Sequence, residues 1–571
     1  TTLVKITSSD ASAATKSPLA TDLETGTVWG TVYDRTYDMV YSSAYIKRHT
    51  GLTSNGIGAI LKTASDGSST SLYVNVESLG VDVGNEPSPR GLGTVTEWSH
   101  DDDAFLKVGT VGIGDLEFDE GERVLWFTNL NTKQVFGIKN VNPNSPPTSS
   151  SDLVHPTGFS TGNSTFDCGS NLVFRPFALK IHKGYLYYGA TCAGETSLAN
   201  AADQTGIIKR MSLSNPLYQG GFTPPWEHVI TFSMNYIRAA HVSVPMSPWK
   251  TWYECREQAF NRILVEDTCY SPFLTGLEFD ADDSLIISIM DQDAHTLGHA
   301  NLQPNGTEFI SGYSEGDIIK ACLTTNGTYV IEGSAGCSYN VQESIDTEIA
   351  AEFYHGDWGP VGHNWHRDVG QGSATFNRVA NEIIMVAMDP TTHAFSSGLI
   401  WLDPVTGDAV GRFEIVEEAP RYDTTAAFGK AGGLGEVELM CSAIPIEIGD
   451  RIWHDLNLDG VQDAGEPGLS GVDVVLTDTI TGATFQATTD SEGYYIFNND
   501  TVTGDVKYFH PYKLSVLVGQ TALTGLSPTS AGAGGVDTKD SDGLLVGPNV
   551  EVTFTTSGSG NSNFDFDFGF L

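Results

Sequence analysis

Asp455, Asn457, Asp459, Gly460 and Glu466 lie in the run D-L-N-L-D-G-V-Q-D-A-G-E and match D-x-[DN]-x-[DN]-G-x5-E at every fixed position. A calcium ion takes about six to eight oxygens. The side chains of Asp455, Asn457 and Asp459 would supply three, and the Val461 carbonyl another. Asp463 would act through water, and Glu466 would close the shell with both carboxylate oxygens. Gly460 permits the sharp turn that an L-residue resists. The alternative is an acidic surface turn. After the loop, Val472, Val474 and Leu476 alternate with polar residues, which is strand periodicity and not the exiting helix of an EF-hand. Calcium is therefore expected to brace a β-domain. Asp537, Asp540 and Asp542 are short-spaced carboxylates on a Gly-rich loop of the same domain, and suit a second calcium, with Asp490 a weaker candidate ligand.

Other groups could do chemistry if the fold gathered them. His295, His299, His355, His363 and His366 fall in two loop-rich segments with Asp291, Asp293, Asp357 and Asp368. A transition-metal or hydrolytic site would need them to converge, yet no helix-spaced ligand pair, G-x-S-x-G or H-E-x-x-H is present. Beside Trp358 and Trp365 these histidines read as hydrogen-bonding struts. Glu117 with Asp119, and Glu278 with Asp280, resemble paired acids. Their recurrence at one place in a repeated unit reads as architecture, since a glycosidase pair would be unique. His100-Asp101-Asp102-Asp103 could hold a cation, but reads first as a solvated acidic loop. No catalytic residue is assigned.

The elements that must position these groups are almost all strands. Short alternating or β-branched runs are separated by Gly, Asn, Asp, Ser and Pro, and only Trp252–Leu264 and Asp346–Phe353 read as short helices. A degenerate Gly-led unit recurs from about residue 28 to 443. Gly114-Asp115-Leu116-Glu117-Phe118-Asp119 precedes Val124-Leu125-Trp126-Phe127, and Gly276-Leu277-Glu278-Phe279-Asp280 precedes Leu285-Ile286-Ile287-Ser288. Further copies begin near Val28, Phe177 and Ala374, and Gly435-Glu436-Val437-Glu438-Leu439 opens one more. A radial array of four-stranded blades explains the pattern, because no blade buries both faces alone. The fold expected is all-β. A β-propeller of about six blades over 28–445 follows an N-terminal extension, 1–27, and precedes a β-sandwich over 446–571. A sandwich pair or β-solenoid is the alternative to the propeller.

The chain has 571 residues and a formal net charge of −41. Such a surface repels nucleic acid and anionic lipid. Apolar residues at 40% and aromatic ones at 10% exclude a disordered acidic tail. No apolar run approaches the ~18 residues of a transmembrane helix, so membrane insertion is not expected. The opening Thr1-Thr2-Leu3-Val4, without Met, reads as a processed N-terminus. Of seven cysteines, Cys168 with Cys192, Cys255 with Cys269, and Cys322 with Cys337 form sequence-local couples suited to disulfides, and Cys441 is left over. Sequons at Asn163, Asn305, Asn326 and Asn499 are candidate glycosylation sites. Together these features point to an extracellular or cell-surface setting.

Residues 446–571 resemble the SdrD-like B domain, the calcium-binding β-sandwich of serine-aspartate-repeat surface adhesins. The resemblance rests on Ile448-Gly449-Asp450-Arg451-Ile452-Trp453, the calcium loop, Gly465-Glu466-Pro467-Gly468-Leu469-Ser470-Gly471-Val472, Thr489-Asp490-Ser491-Glu492-Gly493-Tyr494-Tyr495, Asp540-Ser541-Asp542-Gly543 and Asp567-Phe568-Gly569-Phe570. The propeller-like part is similar to the N-terminal region of bacterial surface proteins ending in this domain, through Leu274–Asp280, Gly316–Cys322 and Gly433–Leu439. The resemblance implies a secreted or surface-attached protein and raises the expectation of the second calcium. No serine-aspartate repeat or sorting motif follows Leu571, so wall attachment is not carried over. Arg451 stands where the Lys of a Cna-type isopeptide would be wanted, so that crosslink is not expected.

The function expected is non-enzymatic, structural or adhesive and calcium-stabilised. Partners would be a second copy in a head-to-tail homopolymer, or other surface proteins and glycans. The stretch Leu3-Val4-Lys5-Ile6 could add as a strand to its own propeller, closing the ring, or to the next subunit's sandwich, building a filament. A propeller enzyme of lactonase or glycan-active type and a carbohydrate-binding module are the rival classes. Carboxylates and His clustered on the propeller axis would favour the enzyme.

Overall fold

The computed structural model describes the chain apart from residues 1–2, 8–13, 94–98, 155–167, 214–225, 237–247, 262–265, 268, 299–300, 313, 339–340, 346–347, 358–367, 394–395, 417–432, 441–445, 499–500, 503–505, 508–509, 534–538 and 557–561. It divides into two compact units, residues 1–440 and 441–571, except that Glu120–Glu122 group with the second.

The first unit is a β-propeller. Among the described residues, five four-stranded antiparallel sheets open with Val28–Asp34, Ile113–Asp119, Val173–His182, Pro272–Phe279 and Gly370–Asn377. These first strands pack beside one another in chain order and line the centre. The period of two sends Leu116 and Phe118 into the core between sheets and Asp115 and Glu117 to the other face. Every first strand carries a register shift, at Val28/Thr31, Ile113/Leu116, Pro176/Ala178, Leu274/Gly276 and Gly370/Ala374. Such bulges bend a strand and re-aim the side chains beyond it. Close approach of the inner backbones explains the Gly-led unit: a Cβ on Gly276 would lie 2.9 Å from that of Ser373, and one on Gly372 would lie 2.2 Å from the Gly435 carbonyl oxygen.

The sixth position holds the N-terminal hairpin, Leu3–Thr7 paired with Thr15–Ala20, and the extended segment 433–440. Gly435 bridges Gly372 in parallel, and its carbonyl accepts from Ser373 N at 3.2 Å. Ile6, Leu434, Val437 and Leu439 cover Ile384, Val386, Leu399 and Trp401 of the fifth sheet. Leu3, Leu19 and Ala20 pack with Val28, Val40 and Leu61 of the first. Within the single chain, Leu3–Thr7 pairs with Thr15–Ala20 alone, in a two-stranded sheet packed against the first and fifth sheets.

Trp252–Asn261 is helical. Asp346–Phe353 is not: Glu348–Glu352 is a strand paired with Val341–Ile345. Ile345 sits opposite Glu348, so only two residues connect the strands, and this hairpin pairing overrides the helix preference of E-I-A-A-E. Disulfides join Cys168 to Cys192, Cys255 to Cys269 and Cys322 to Cys337; Cys441 lies outside the described residues.

The second unit is a β-sandwich. A five-stranded sheet built on Asp473–Asp478, Pro511–Leu517 and Asn549–Thr555 and a three-stranded sheet built on Ile448–His454 enclose Ile452, Val474, Leu476, Leu514, Val516 and Phe568.

Candidate functional site

The calcium-type loop leaves the strand Ile448–His454 and folds back on itself. Asp455 is completely buried; Oδ1 accepts from Leu458 N at 2.6 Å and Oδ2 from Gly460 N at 2.9 Å and Thr529 Oγ1 at 2.5 Å. These donors hold its carboxyl below the usual range despite burial. Asn457 Nδ2 donates to Asp459 Oδ2 and Asp463 Oδ2, both at 2.9 Å. Glu466 is nearly buried, with Oε1 accepting from Leu456 N and Oε2 from Asp463 N, which fixes its carboxylate at the loop's closing end. Gly460 has φ +80°, and a Cβ there would lie 2.7 Å from that of Ala533. The five side chains and Val461 are thus on one turn, with Asp455 and Glu466 anchored from within and Asp459 and Asp463 facing solvent.

Val461 bridges Asp540, and Gln462 N donates to the Lys539 carbonyl, so the second acidic stretch lies against the first. Asp540 is nearly buried. Asp542 accepts from Asp567 N at 2.7 Å. Asp537 lies outside the described residues. Sequence reasoning missed the central member of this group. Asp567 is completely buried; Oδ1 accepts from Arg451 N at 3.1 Å, while Oδ2 has no hydrogen-bond partner among the described residues. Burial first, then the charges of Asp450, Asp542 and Asp565, push its carboxyl up to about 8. A buried, unbonded carboxylate oxygen facing three further carboxylates is a donor set suited to a hard cation. The D-F-D-F run, alternating acid with core Phe and leading into the terminal strand Phe568–Phe570, was the available signal. Asp490 is elsewhere engaged, accepting from Glu492 N and Tyr494 N in its own turn. Arg451 reaches the carbonyls of Glu492 and Glu466.

In the propeller, the inner strands of different sheets bring acids together at the centre. Glu278 Oε2 lies 3.0 Å from Lys180 Nζ and accepts from Thr375 Oγ1 at 3.3 Å. Glu117 and Glu438 act on the same lysine and hold its ammonium charged, well above its usual range. Burial raises Glu117 to about 8, with Lys180 opposing and Glu438, Asp115 and Glu278 adding to the rise. Asp115 and Glu436 share a hydrogen bond; Asp115 also accepts from Leu179 N at 2.8 Å and Glu436 from Thr31 N. Reading Glu117/Asp119 and Glu278/Asp280 purely as turn architecture is therefore corrected. Asp280 does cap a turn and pair with Lys320 at 2.8 Å, but Glu117 and Glu278 leave those pairs and meet around Lys180.

The histidine segments split. Glu352, Asp357 and Asp368 place carboxylate oxygens within 4.8 Å of one another. His355 instead pairs with Asp408 at 3.0 Å. His295 is buried and kept neutral, its Nε2 donating to the Gly433 carbonyl at 3.1 Å. His299, His363 and His366 lie outside the described residues. Asp101 is tied to Arg90 and Asp103 to Lys107, so that loop is an ion-paired strut. The sequon residues Asn305 and Asn326 are exposed; Asn163 and Asn499 are outside the described set.

Residues 446–570 match the family model described as the SdrD B-like domain, and the second unit is a domain of that kind. Across 497 residues the chain is 23% identical to Colossin-C of Dictyostelium discoideum, an alignment covering 84% of this chain and 45% of that protein. Over 97 residues it is 39% identical to serine-aspartate repeat-containing protein C of Staphylococcus aureus strain MRSA252, covering 17% of this chain and 10% of that one. The chain thus spans less than half of Colossin-C. Because that relative, which reaches across the propeller, comes from Dictyostelium, the kinship is not restricted to bacteria. Among solved structures, a calcium-binding regucalcin from Agrobacterium tumefaciens aligns at TM-score 0.29 and 8% identity, over 70% of this chain and 77% of its own.

Proposed function

We propose that this chain is an extracellular or cell-surface structural or adhesive protein whose sandwich is braced by calcium. The observation that supports this most directly is the pre-folded loop: a fully buried Asp455 and an anchored Glu466 hold Asn457, Asp459 and Asp463 on one turn. Asp540, Asp542 and Asp567, with Asp450 and Asp565, would take a second cation. A bound ion would supply charge neutralisation and a crosslink between the loop and the 539–542 segment. Three disulfides suit an oxidising compartment, and among the described residues no helix is long and apolar enough to cross a membrane. Partners would be a second copy of the chain or other surface proteins and glycans. Exchange of Leu3–Thr7 between copies would require the hairpin to open first. Scanning calorimetry of the chain with calcium and with a chelator tests the reading. The sandwich transition should rise in calcium, and an unchanged melt would refute the brace.

The central acids around Lys180 favour a second reading, a propeller enzyme of lactonase or glycan-active type. Turnover of a lactone or glycan by the wild-type chain that Glu117→Gln abolishes would establish it.

A further inference from the structure

Lys320 lies on the third strand of the fourth sheet, Asp317–Leu323, and is only 5% exposed. Its Nζ is 2.8 Å from the nearer carboxylate oxygen, Oδ2, of Asp280, which is 2% exposed. The Phe353 ring covers the amine, with its centroid 4.3 Å away. Nζ also donates at 3.4 Å to the carbonyl of Pro404, which follows the fifth-sheet strand Ser397–Leu402. Glu332 is engaged elsewhere, its Oε2 accepting from Lys320 N at 2.7 Å. Among the described residues, Asp280 is therefore the one carboxylate within ion-pair reach of this amine. Holding a lysine and an acid so far from water is costly as an ion pair.

Asp280 is arranged as an electrophile. Its Oδ1 accepts from Ser284 N at 2.9 Å and Asp282 N at 3.2 Å. Two backbone donors on one carboxyl oxygen would stabilise an oxyanion formed there. The Asp280 carboxyl also shares a hydrogen bond with that of Asp282, so a proton lies between them. Burial, then Asp282, raises Asp280 to about 6, while the bond to Asp280 holds Asp282 at about 2. The shared proton thus belongs to Asp280. A buried amine facing such a carboxyl is the reactant pair of an amide. Confinement in one folded site supplies effective molarities of about 10⁵ M or more, and exclusion of water favours the condensed product. Asp282 is exposed, which gives a released water a way out.

We propose that Lys320 and Asp280 condense to an intramolecular isopeptide bond once the propeller has folded. Asp282 takes a proton from the ammonium, and the freed Nζ lone pair attacks Cγ of Asp280. In the tetrahedral adduct Oδ1 carries the negative charge on its two backbone donors. Asp282 gives its proton to the other oxygen and takes one from the nitrogen. The bond from Cγ to that oxygen breaks, water leaves, and the Oδ1 carbonyl re-forms. Asp282 then returns its proton to solvent. The sum is one ammonium and one carboxylate giving one amide and one water, with no oxidant or co-reactant. The bond would tie the third strand of the fourth blade to the turn that follows its inner strand, Pro272–Phe279.

Mass spectrometry of the full chain, reduced and alkylated, tests this. The folded protein should weigh one water less than its sequence requires. Trypsin should fail to cut after Lys320, and the digest should contain a branched peptide joining the stretches that hold Asp280 and Lys320. Lys320→Met and Asp280→Ala should each restore the full mass. Asp282→Ala should leave at least about tenfold less crosslink at a matched time after synthesis, the loss expected on removing a proton-transfer group. If a variant fails to fold, the wild-type digest decides. Wild-type peptides with Lys320 and Asp280 both free overturn the proposal, as does a loss of water confined to the Asp280 peptide. An Asp282→Ala chain that crosslinks as fast as wild type overturns the part given to Asp282.

Discussion

The carboxyl groups of Asp115, on the inner strand of the second blade, and Glu436, on the segment that completes the ring, hydrogen-bond to each other. Two ionised carboxylates have no proton to share, so one of the pair must hold its proton. Burial drives both upward, Asp115 to about 7, with the neighbouring charge adding to the rise at Glu436. In the unfolded chain such groups titrate near pH 4. The folded propeller therefore binds more protons between about pH 4 and 7. The stability this contributes is complete below the unfolded value and is lost as pH rises through the folded one. Melts of the propeller should fall between pH 5 and 8.5. Asp115→Asn, which keeps an acceptor for Leu179 N and adds a donor for Glu436, should flatten that slope, by about 1.4 kcal/mol for each pKa unit removed.

Lys180 is the cation against which Glu117, Glu278 and Glu438 are set. Lys180→Met would leave three acids facing one another. With the lysine side chain 22% exposed, the loss should be about 2–3 kcal/mol in denaturant unfolding, below that of a fully buried pair. Adding Glu278→Gln should restore part of it. A single variant as stable as wild type would show that water already screens the cluster.

In the sandwich, Thr529 donates its hydroxyl to buried Asp455. Thr529→Val should cost about 1–2 kcal/mol without calcium and lower calcium affinity severalfold, as Asp455 loses its orientation. Glu466→Gln should weaken calcium at least tenfold and abolish the calcium-dependent rise of the melt. Calcium calorimetry reads both, and an unchanged affinity in Glu466→Gln would remove it from the ligand set.

Deleting residues 1–20 uncovers Ile384, Val386, Leu399 and Trp401 on one side and Val28, Val40 and Leu61 on the other. The truncated chain should melt well below the intact one and bind a hydrophobic dye. Loss of polymers with an unchanged melt would instead show that this hairpin is exchanged between subunits.

Much of this was legible in sequence where the signal is local. The calcium-type loop is one run of twelve residues, and the disulfide partners lie 14 to 24 residues apart. The Gly-led unit reflects a local demand, since each inner strand needs room at the same point. The central acids were not legible: Thr31 N reaches Glu436 across 405 residues, and nothing in either stretch announces the other. The bulge in each inner strand, which sets where side chains beyond it point, has no sequence signature of its own. Asp567 was overlooked for a related reason. Its neighbours Phe566 and Phe568 mark a core strand, and strand alternation alone would send the acid outward, whereas here both faces are covered.

The ring is completed by chain from both of its ends, residues 3–20 and 433–440. During synthesis the first blades must wait, with one flank of the opening sheet bare, until more than four hundred residues have left the ribosome. Contacts of such sequence separation make for slow folding, and a partly made propeller presents sticky β-surface throughout that interval. Chains cut short of residue 433 are accordingly expected to aggregate when expressed, and chaperone cover of the first blades to raise the yield of the intact chain.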